Sequence, residues 1–86
     1  MMADIELAAR QAVSKALHVD LTDWPADQPL AEVPDGMFDS LARLESISLL
    51  ERELGVGRLP LEDAADLLTT IRSIVDWVTE QLAGRE

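Results

Sequence analysis

Apolar residues recur every three or four positions along three segments of the chain, and this period predicts three amphipathic helices. The segments are residues 4–18, 40–54 and 69–83. A shorter acidic segment over 61–66 predicts a fourth, short helix, and no stretch alternates long enough to predict a strand. The pattern therefore predicts an all-α protein, an antiparallel bundle of three long helices plus one short helix, forming a single domain over residues 1–86.

Residues that favour helix ends stand at the borders of these segments. The predicted N-caps are Asp4, Asp39 and either Thr69 or Thr70, and the predicted helix terminators are Gly55 and Gly84. The segment 19–38 holds three prolines and shows no sustained period, so it predicts one long loop between the first two helices. A loop of this length in a small domain is usually functional, and we expect it to wrap one side of the bundle.

The apolar stripes predict the residues of the core. The first helix contributes Ile5, Ala8, Ala9, Ala12, Val13, Ala16 and Leu17; the second Leu44, Ile47, Leu50 and Leu54; and the third Ile71, Val75 and Val78. Trp77 stands next to the third stripe, and we expect it to be at least half buried.

Charge and cysteine content narrow the classes of partner. The chain has 17 Asp and Glu against 7 Lys and Arg, a net charge of −10, and it has no Cys. Nucleic-acid binding depends on basic residues that contact phosphates, so this charge argues against a nucleic acid and favours basic protein partners. No signal peptide or long apolar run is present, so we expect a cytoplasmic, monomeric protein without a membrane anchor.

Most catalytic and metal-binding patterns are missing. His18 is the only His and lies at the end of the first helix, and Lys15 is the only Lys, so neither a Ser–His–Asp triad nor a phosphate-binding loop fits. A calcium loop starting at Asp20 would have Pro25 where Gly is required and Ala31 where Glu is required. We therefore expect a protein that is not an enzyme and holds no metal.

One short motif, Asp39-Ser40-Leu41, stands where the long loop meets the second helix. With Asp39 as the N-cap, Ser40 is the first helical residue and its hydroxyl points outward. A phosphate ester there would lie over unpaired backbone N–H groups and the positive end of the helix dipole. Asp and Ser also gather at helix starts for capping alone, so the motif by itself leaves both readings open.

The wider order of motifs resembles an acyl carrier protein along nearly the whole chain. The matching features, in chain order, are Asp39-Ser40-Leu41, Glu45, Leu50-Glu51, Leu59-Pro60, Thr69-Thr70-Ile71 and Val75-Asp76-Trp77-Val78. The resemblance implies that Ser40 receives a 4′-phosphopantetheine arm and that Asp39 helps a phosphopantetheinyl transferase to load it from coenzyme A. The arm's terminal thiol would then hold the cargo as a thioester.

The resemblance implies a free-standing carrier that serves acyl-transferring or ketosynthase-type enzymes with basic docking surfaces. Its acidity favours polyketide or fatty-acid-type biosynthesis, with a specialised pathway indicated by its departures from the family pattern. The alternatives are a peptidyl or aminoacyl carrier, and an acidic helical interaction module that carries no cofactor.

The expected partner-binding residues surround the motif: Met37, Phe38, Leu41, Arg43, Glu45, Glu51 and Glu53. Arg43 departs from the family pattern and would either reject some partner enzymes or pair with a carboxylate on its own helix. Ser46, where the family commonly has Leu, would either place a hydroxyl beside the cargo, favouring a short or polar acyl group, or face water.

Overall fold

The computed structural model describes residues 2–34, 37–60 and 65–84, and over these residues it is helical without strands. The helices are α1, Met2–Leu17; α2, Ser40–Leu54; and α3, Ile71–Ala83. Within the described connections lie the single 3₁₀ turns Leu30–Glu32 and Ala65–Leu67. The prediction of an all-α protein with three main helices is confirmed.

The helices begin and end close to the predicted residues, with some corrections. α2 has the predicted borders, whereas α1 covers residues 2–17 in place of the predicted 4–18. Asp4 therefore lies inside α1, and the prediction that it caps the helix is wrong. α1 ends because His18 adopts a left-handed conformation with a φ of 59°, which directs the chain out of the helix.

α3 starts at Ile71, two residues later than the predicted 69–83. Thr70 is its N-cap, and the Thr70 hydroxyl accepts a hydrogen bond from the Ser73 amide at 3.0 Å. The Ser73 hydroxyl in turn accepts from the Thr70 amide, completing a capping box. Because the Thr70 backbone is extended, the residue before it, Thr69, lies outside the helix.

The loops depart from the prediction in two places. The segment predicted as a loop, 19–38, contains the turn Leu30–Glu32. Of the predicted short helix 61–66, residues 61–64 lie outside the described residues. Its end coincides in part with the 3₁₀ turn Ala65–Leu67.

α1 lies at the centre of the core and packs against both α2 and α3. All seven apolar residues predicted for its stripe are buried. Ile47, Leu50, Ile71 and Val78 are buried as predicted, Trp77 is 91% removed from solvent, and Leu54 and Val75 pack against the core while partly exposed.

Leu44 is the error in the predicted core, since it is 52% exposed. Leu41, Leu44, Ile47 and Leu50 follow one another at spacings of three, and each such step falls about 60° short of a full helical turn. The stripe therefore winds around α2 until Leu41 and Leu44 face solvent while Leu50 faces the core. Ala42 and Ser46 occupy the buried side that the sequence assigned to Leu44.

The long loop contributes to the core. Leu21, Leu30 and Val33 are buried, and none of the three is more than 4% exposed. Backbone hydrogen bonds join this loop to the start of α3, from the Leu30 amide to the Thr69 carbonyl and from the Arg72 amide to the Ala26 carbonyl, both at 2.9 Å. In the described part of the chain, no helix has the length and apolar character needed to cross a bilayer.

Arg10 fastens the first part of this loop to α1. Its Nη1 donates to the carbonyl oxygens of Leu21, Thr22 and Trp24 at 3.2, 3.2 and 2.6 Å. Its Nε also donates to the Glu6 carboxylate at 3.1 Å, and the Arg10 side chain is only 13% exposed. The Leu21 carbonyl also accepts from the Trp24 amide at 3.2 Å, whereas the largely buried guanidinium is the donor to the Thr22 and Trp24 carbonyls, for which this segment offers no backbone amide.

We predict that Arg10→Gln lowers the free energy of unfolding by about 1.5–3 kcal/mol, because it removes charged hydrogen bonds and leaves loop carbonyls unpaired. Urea unfolding monitored by circular dichroism measures the change. Arg72→Gln is the matched control: it also removes one arginine, but its ion pair with Asp27 is exposed and should contribute much less. Equal losses for the two variants would contradict the role assigned to Arg10.

Candidate functional site

Ser40 is the first residue of α2, and the cap formed by Asp39 sets its position. The Asp39 carboxylate accepts a hydrogen bond from the Ala42 amide at 2.9 Å, and the Asp39 carbonyl accepts from the Arg43 amide at 3.0 Å. The amides of Ser40 and Leu41 precede this first helical hydrogen bond. Ser40 is exposed, so its hydroxyl lies in solvent beside the positive end of the α2 dipole.

Phe38 and Arg43 bracket the same helix start. Phe38 stands immediately before the Asp39 cap, and Arg43 is the fourth residue after it. An apolar pair at these two positions often fixes the angle at which the chain enters a helix. Here the Arg43 guanidinium carbon lies 5.3 Å from the centre of the Phe38 ring, which is within the range of a cation–π interaction. The pair takes the place of the usual apolar contact.

Arg43 pairs with no carboxylate of its own helix, so that alternative interpretation is wrong. Its Nε is buried and has no hydrogen-bond acceptor, and no described residue forms an ion pair with it. The other interpretation, that Arg43 influences the choice of partner, stays a prediction.

An apolar surface surrounds Ser40. Met37 is 73% exposed and Leu41 is 70% exposed, while Phe38 is partly buried against the core. Leu44, one turn beyond Ser40, extends this surface along α2. Leu44 was predicted for the core and not for this surface, although the three-residue spacing of its stripe indicates that it turns outward. We call Met37, Leu41 and Leu44 the apolar patch; clustered exposed apolar side chains of this kind mark interaction sites.

The three glutamates predicted for partner binding are placed differently from one another. Glu45 is exposed on α2, one turn past Leu41. The Glu51 carboxylate accepts a hydrogen bond from the Leu59 amide at 2.7 Å and so holds the segment that follows α2. Glu53 is exposed but lies beside Gln11 of α1, on another side of the helix. Glu45 is therefore the glutamate of the three that is exposed beside the apolar patch, while Glu51 is engaged by the Leu59 amide.

A groove of about 360 Å³ runs between α2 and the segment that follows it. We call it the α2 groove. Apolar and polar side chains both line it, among them Leu44, Ser48, Glu51, Arg52, Val56 and Leu59. Leu44 belongs to both the patch and the groove, so the two surfaces are continuous along α2 from the side of Ser40.

Ser46 lies in the core, so the alternative in which it faces water is wrong. It is 1% exposed, and its hydroxyl donates to the Ala42 carbonyl of the preceding turn at 2.8 Å. This local hydrogen bond satisfies the hydroxyl within its own helix, and the small side chain fits the side of α2 that faces inward.

Comparison with known proteins identifies the family of the chain. The family model described as "Phosphopantetheine attachment site" matches residues 8–78 of the chain. The chain belongs to this family. 4′-Phosphopantetheine is attached covalently to domains of this kind, so the protein is a phosphopantetheine-bearing carrier, and such carrier domains are typically non-catalytic. No curated protein and no solved structure gave a match.

The described residues fit such a phosphate ester. Ser40 offers an exposed hydroxyl at a helix N-terminus, where backbone amides and the helix dipole favour a negative charge. Arg43, three residues along, adds a buried nitrogen donor that has no acceptor.

We predict that Asp39→Ala lowers the free energy of unfolding by about 1 kcal/mol, because the Ala42 amide loses its acceptor. Urea unfolding measures the change. Asp39→Asn keeps a side-chain oxygen in the same place and should retain most of the stability. If the alanine variant is as stable as the wild type, the cap does not determine where α2 begins.

Proposed function

We propose that Ser40 bears the phosphopantetheine arm and that the protein carries an acyl intermediate between the enzymes of a specialised polyketide or fatty-acid-type pathway in the cytoplasm. The observation that supports this most is the position of Ser40, the first residue of α2, exposed, and inside the segment that the family model matches. The resemblance to acyl carrier proteins extends the proposal to the class of cargo.

Loading places a phosphodiester on the Ser40 oxygen. A phosphopantetheinyl transferase supplies the arm from coenzyme A. The Ser40 hydroxyl gives its proton to a base of the transferase or to water, and its oxygen forms a bond to the phosphorus on the pantetheine side of the diphosphate. The P–O bond of the diphosphate breaks, and adenosine 3′,5′-bisphosphate leaves. The cofactor contributes a thiol that holds the acyl group as a thioester. The protein presents Ser40 to solvent at a fixed helix start, and Asp39 helps the transferase to engage it.

The test of attachment is intact-mass measurement of protein produced together with a broadly specific phosphopantetheinyl transferase. We expect the wild type to gain the mass of one phosphopantetheine and Ser40→Ala to gain none. Ser48→Ala is the matched control, because Ser48 is also exposed on α2, two turns further along, and this variant should load like the wild type. A wild-type chain that gains no mass would favour the interaction module that carries no cofactor.

Partner enzymes are proposed to dock on the apolar patch and Glu45. The patch supplies a small apolar centre beside Ser40, and interfaces with such centres concentrate their binding energy there. Glu45 offers an exposed carboxylate to Lys or Arg of the partner. Since exposed charges are screened over about 8–10 Å at physiological ionic strength, salt should slow the association.

We predict that Glu45→Gln lowers the association rate with an acyl-handling partner several-fold at low salt and has little effect at high salt. Surface plasmon resonance with the loaded carrier measures both. Glu80→Gln on α3 removes the same charge from an exposed position outside the proposed docking face and should leave the rate close to the wild type. Equal effects of the two variants would show that only net charge matters and that α2 has no special part in docking.

The cargo is proposed to be short or polar. The α2 groove, which is continuous with the surface beside Ser40, has Ser48, Glu51 and Arg52 among its lining residues. A long alkyl chain in it would lie partly against polar groups and gain less than the roughly 0.8 kcal/mol per CH₂ that fully apolar walls provide. The hydroxyl of Ser46 adds a polar group on the buried side of the same helix.

Amide hydrogen exchange on the carrier with a two-carbon and with an eight-carbon acyl group tests this. We expect similar protection of α2 in both forms, because the longer chain gains little by entering the protein. Strong additional protection with the eight-carbon group would show that the protein encloses long chains, and the proposal on cargo would then be wrong.

A further inference from the structure

We propose that the Arg43 guanidinium binds the phosphodiester that links the arm to Ser40 and thereby holds the root of the arm at the start of α2. This inference rests on the proposed attachment at Ser40. It gives Arg43 a role that is separate from the choice of partner enzyme.

Helix geometry brings the two side chains to the same place. Residues three apart on a helix are neighbours, with about 5–6 Å between their Cβ atoms. Helical side chains also lean toward the N-terminus. The stacking on Phe38 shows that Arg43 does so, because Phe38 precedes Ser40 by two residues and the guanidinium carbon lies 5.3 Å from the centre of its ring. The guanidinium therefore extends back toward the turn that carries Ser40.

The guanidinium has unused hydrogen-bonding capacity there. Its Nε is buried without an acceptor, and among the described residues no group accepts a hydrogen bond from the Arg43 side chain. An orphaned charged donor is costly, and the cost is removed when an acceptor arrives. A phosphate suits this donor because the planar guanidinium forms paired, charge-assisted hydrogen bonds with phosphate oxygens.

Once the arm is attached, a nearby cation would stabilise the negative charges at the start of α2. The first turn of α2 contains no acidic residue, and the nearest carboxylate in sequence, on Asp39, accepts the Ala42 amide. Loading adds a second negative charge immediately beside Asp39. Arg43 is the only basic residue in that turn, so it is the group placed to offset the repulsion between the two anions.

The first test compares the Arg43 Nε–H resonance of ¹⁵N-labelled protein before and after loading. Contact of the guanidinium with the phosphodiester should shift this resonance, whereas exchange of the Nε–H with water should be slow in both forms because Nε is already buried. The Arg52 Nε–H serves as the internal control, because Arg52 lies twelve residues from Ser40, about 18 Å along the helix axis, and should not change. Assignment comes from the signals lost in Arg43→Lys and Arg52→Gln.

The second test uses the phosphorus of the loaded protein. We expect the ³¹P resonance to shift in Arg43→Gln and to stay at the wild-type position in Arg52→Gln, which removes the same charge. Loading should also lower the thermal midpoint of Arg43→Gln by a few degrees relative to its effect on the wild type and on Arg52→Gln, since the two anions are then left unbalanced.

The outcomes distinguish a failure of the Arg43 phosphate contact from a failure of the proposed attachment at Ser40. If mass measurement shows loading on Ser40 but the Arg43 resonance is the same in both forms, the phosphate contact is wrong and the proposed function stands. The wild-type comparison decides this even if Arg43→Gln cannot be loaded. If the arm is attached elsewhere or not at all, both the contact and the proposed attachment at Ser40 are overturned.

Discussion

The hydrogen bond between the Ala42 amide and the Asp39 carboxylate fixes the place where α2 begins, and the candidate site depends on that place. In another register Ser40 would no longer be the first helical residue, beside the unpaired amides of the helix start. With Asp39 as the cap, Ser40 is exposed and near the unpaired amides of the helix start. The same register sets Arg43 opposite Phe38 and turns Leu41 and Leu44 toward solvent.

The inward side of α2 contains small residues beside large apolar ones, and the outward side contains leucines. Ala42 and Ser46 are buried, and their small side chains leave room for the alanine-rich face of α1. Leu41 and Leu44 remain exposed next to Ser40, where a carrier that must form brief contacts with several enzymes would require an apolar patch.

Much of this arrangement can be predicted from the sequence. The borders of α2, the Asp39 cap and the buried stripe of α1 follow from capping residues and a 3.6-residue period. Local rules are sufficient there because each feature involves neighbours in the chain. The early start of α1 is the exception. No capping residue predicts it, and the first turns are supported by the burial of Ile5 and Ala8 in the core.

The features that the sequence did not predict arise from distant contacts. Arg10 binds carbonyls eleven to fourteen residues away, and Leu30 and Val33 are buried although they lie in a proline-rich segment without a period. To predict the stacking of Arg43 on Phe38, one would have to know that both residues flank the same cap and that no carboxylate competes for the guanidinium. Hydropathy patterns contain no such information.

The central claim is that the arm is attached to Ser40, and the position of Arg43 allows a direct measurement. Trypsin cleaves after Lys15, Arg43 and Arg52, so Ser40 is the only serine of the peptide 16–43, while Ser46 and Ser48 fall in the peptide 44–52. Peptide mass mapping of the loaded protein should find phosphopantetheine on 16–43, with fragment ions that locate it on Ser40. The modification on 44–52, or on Thr22, would contradict the account.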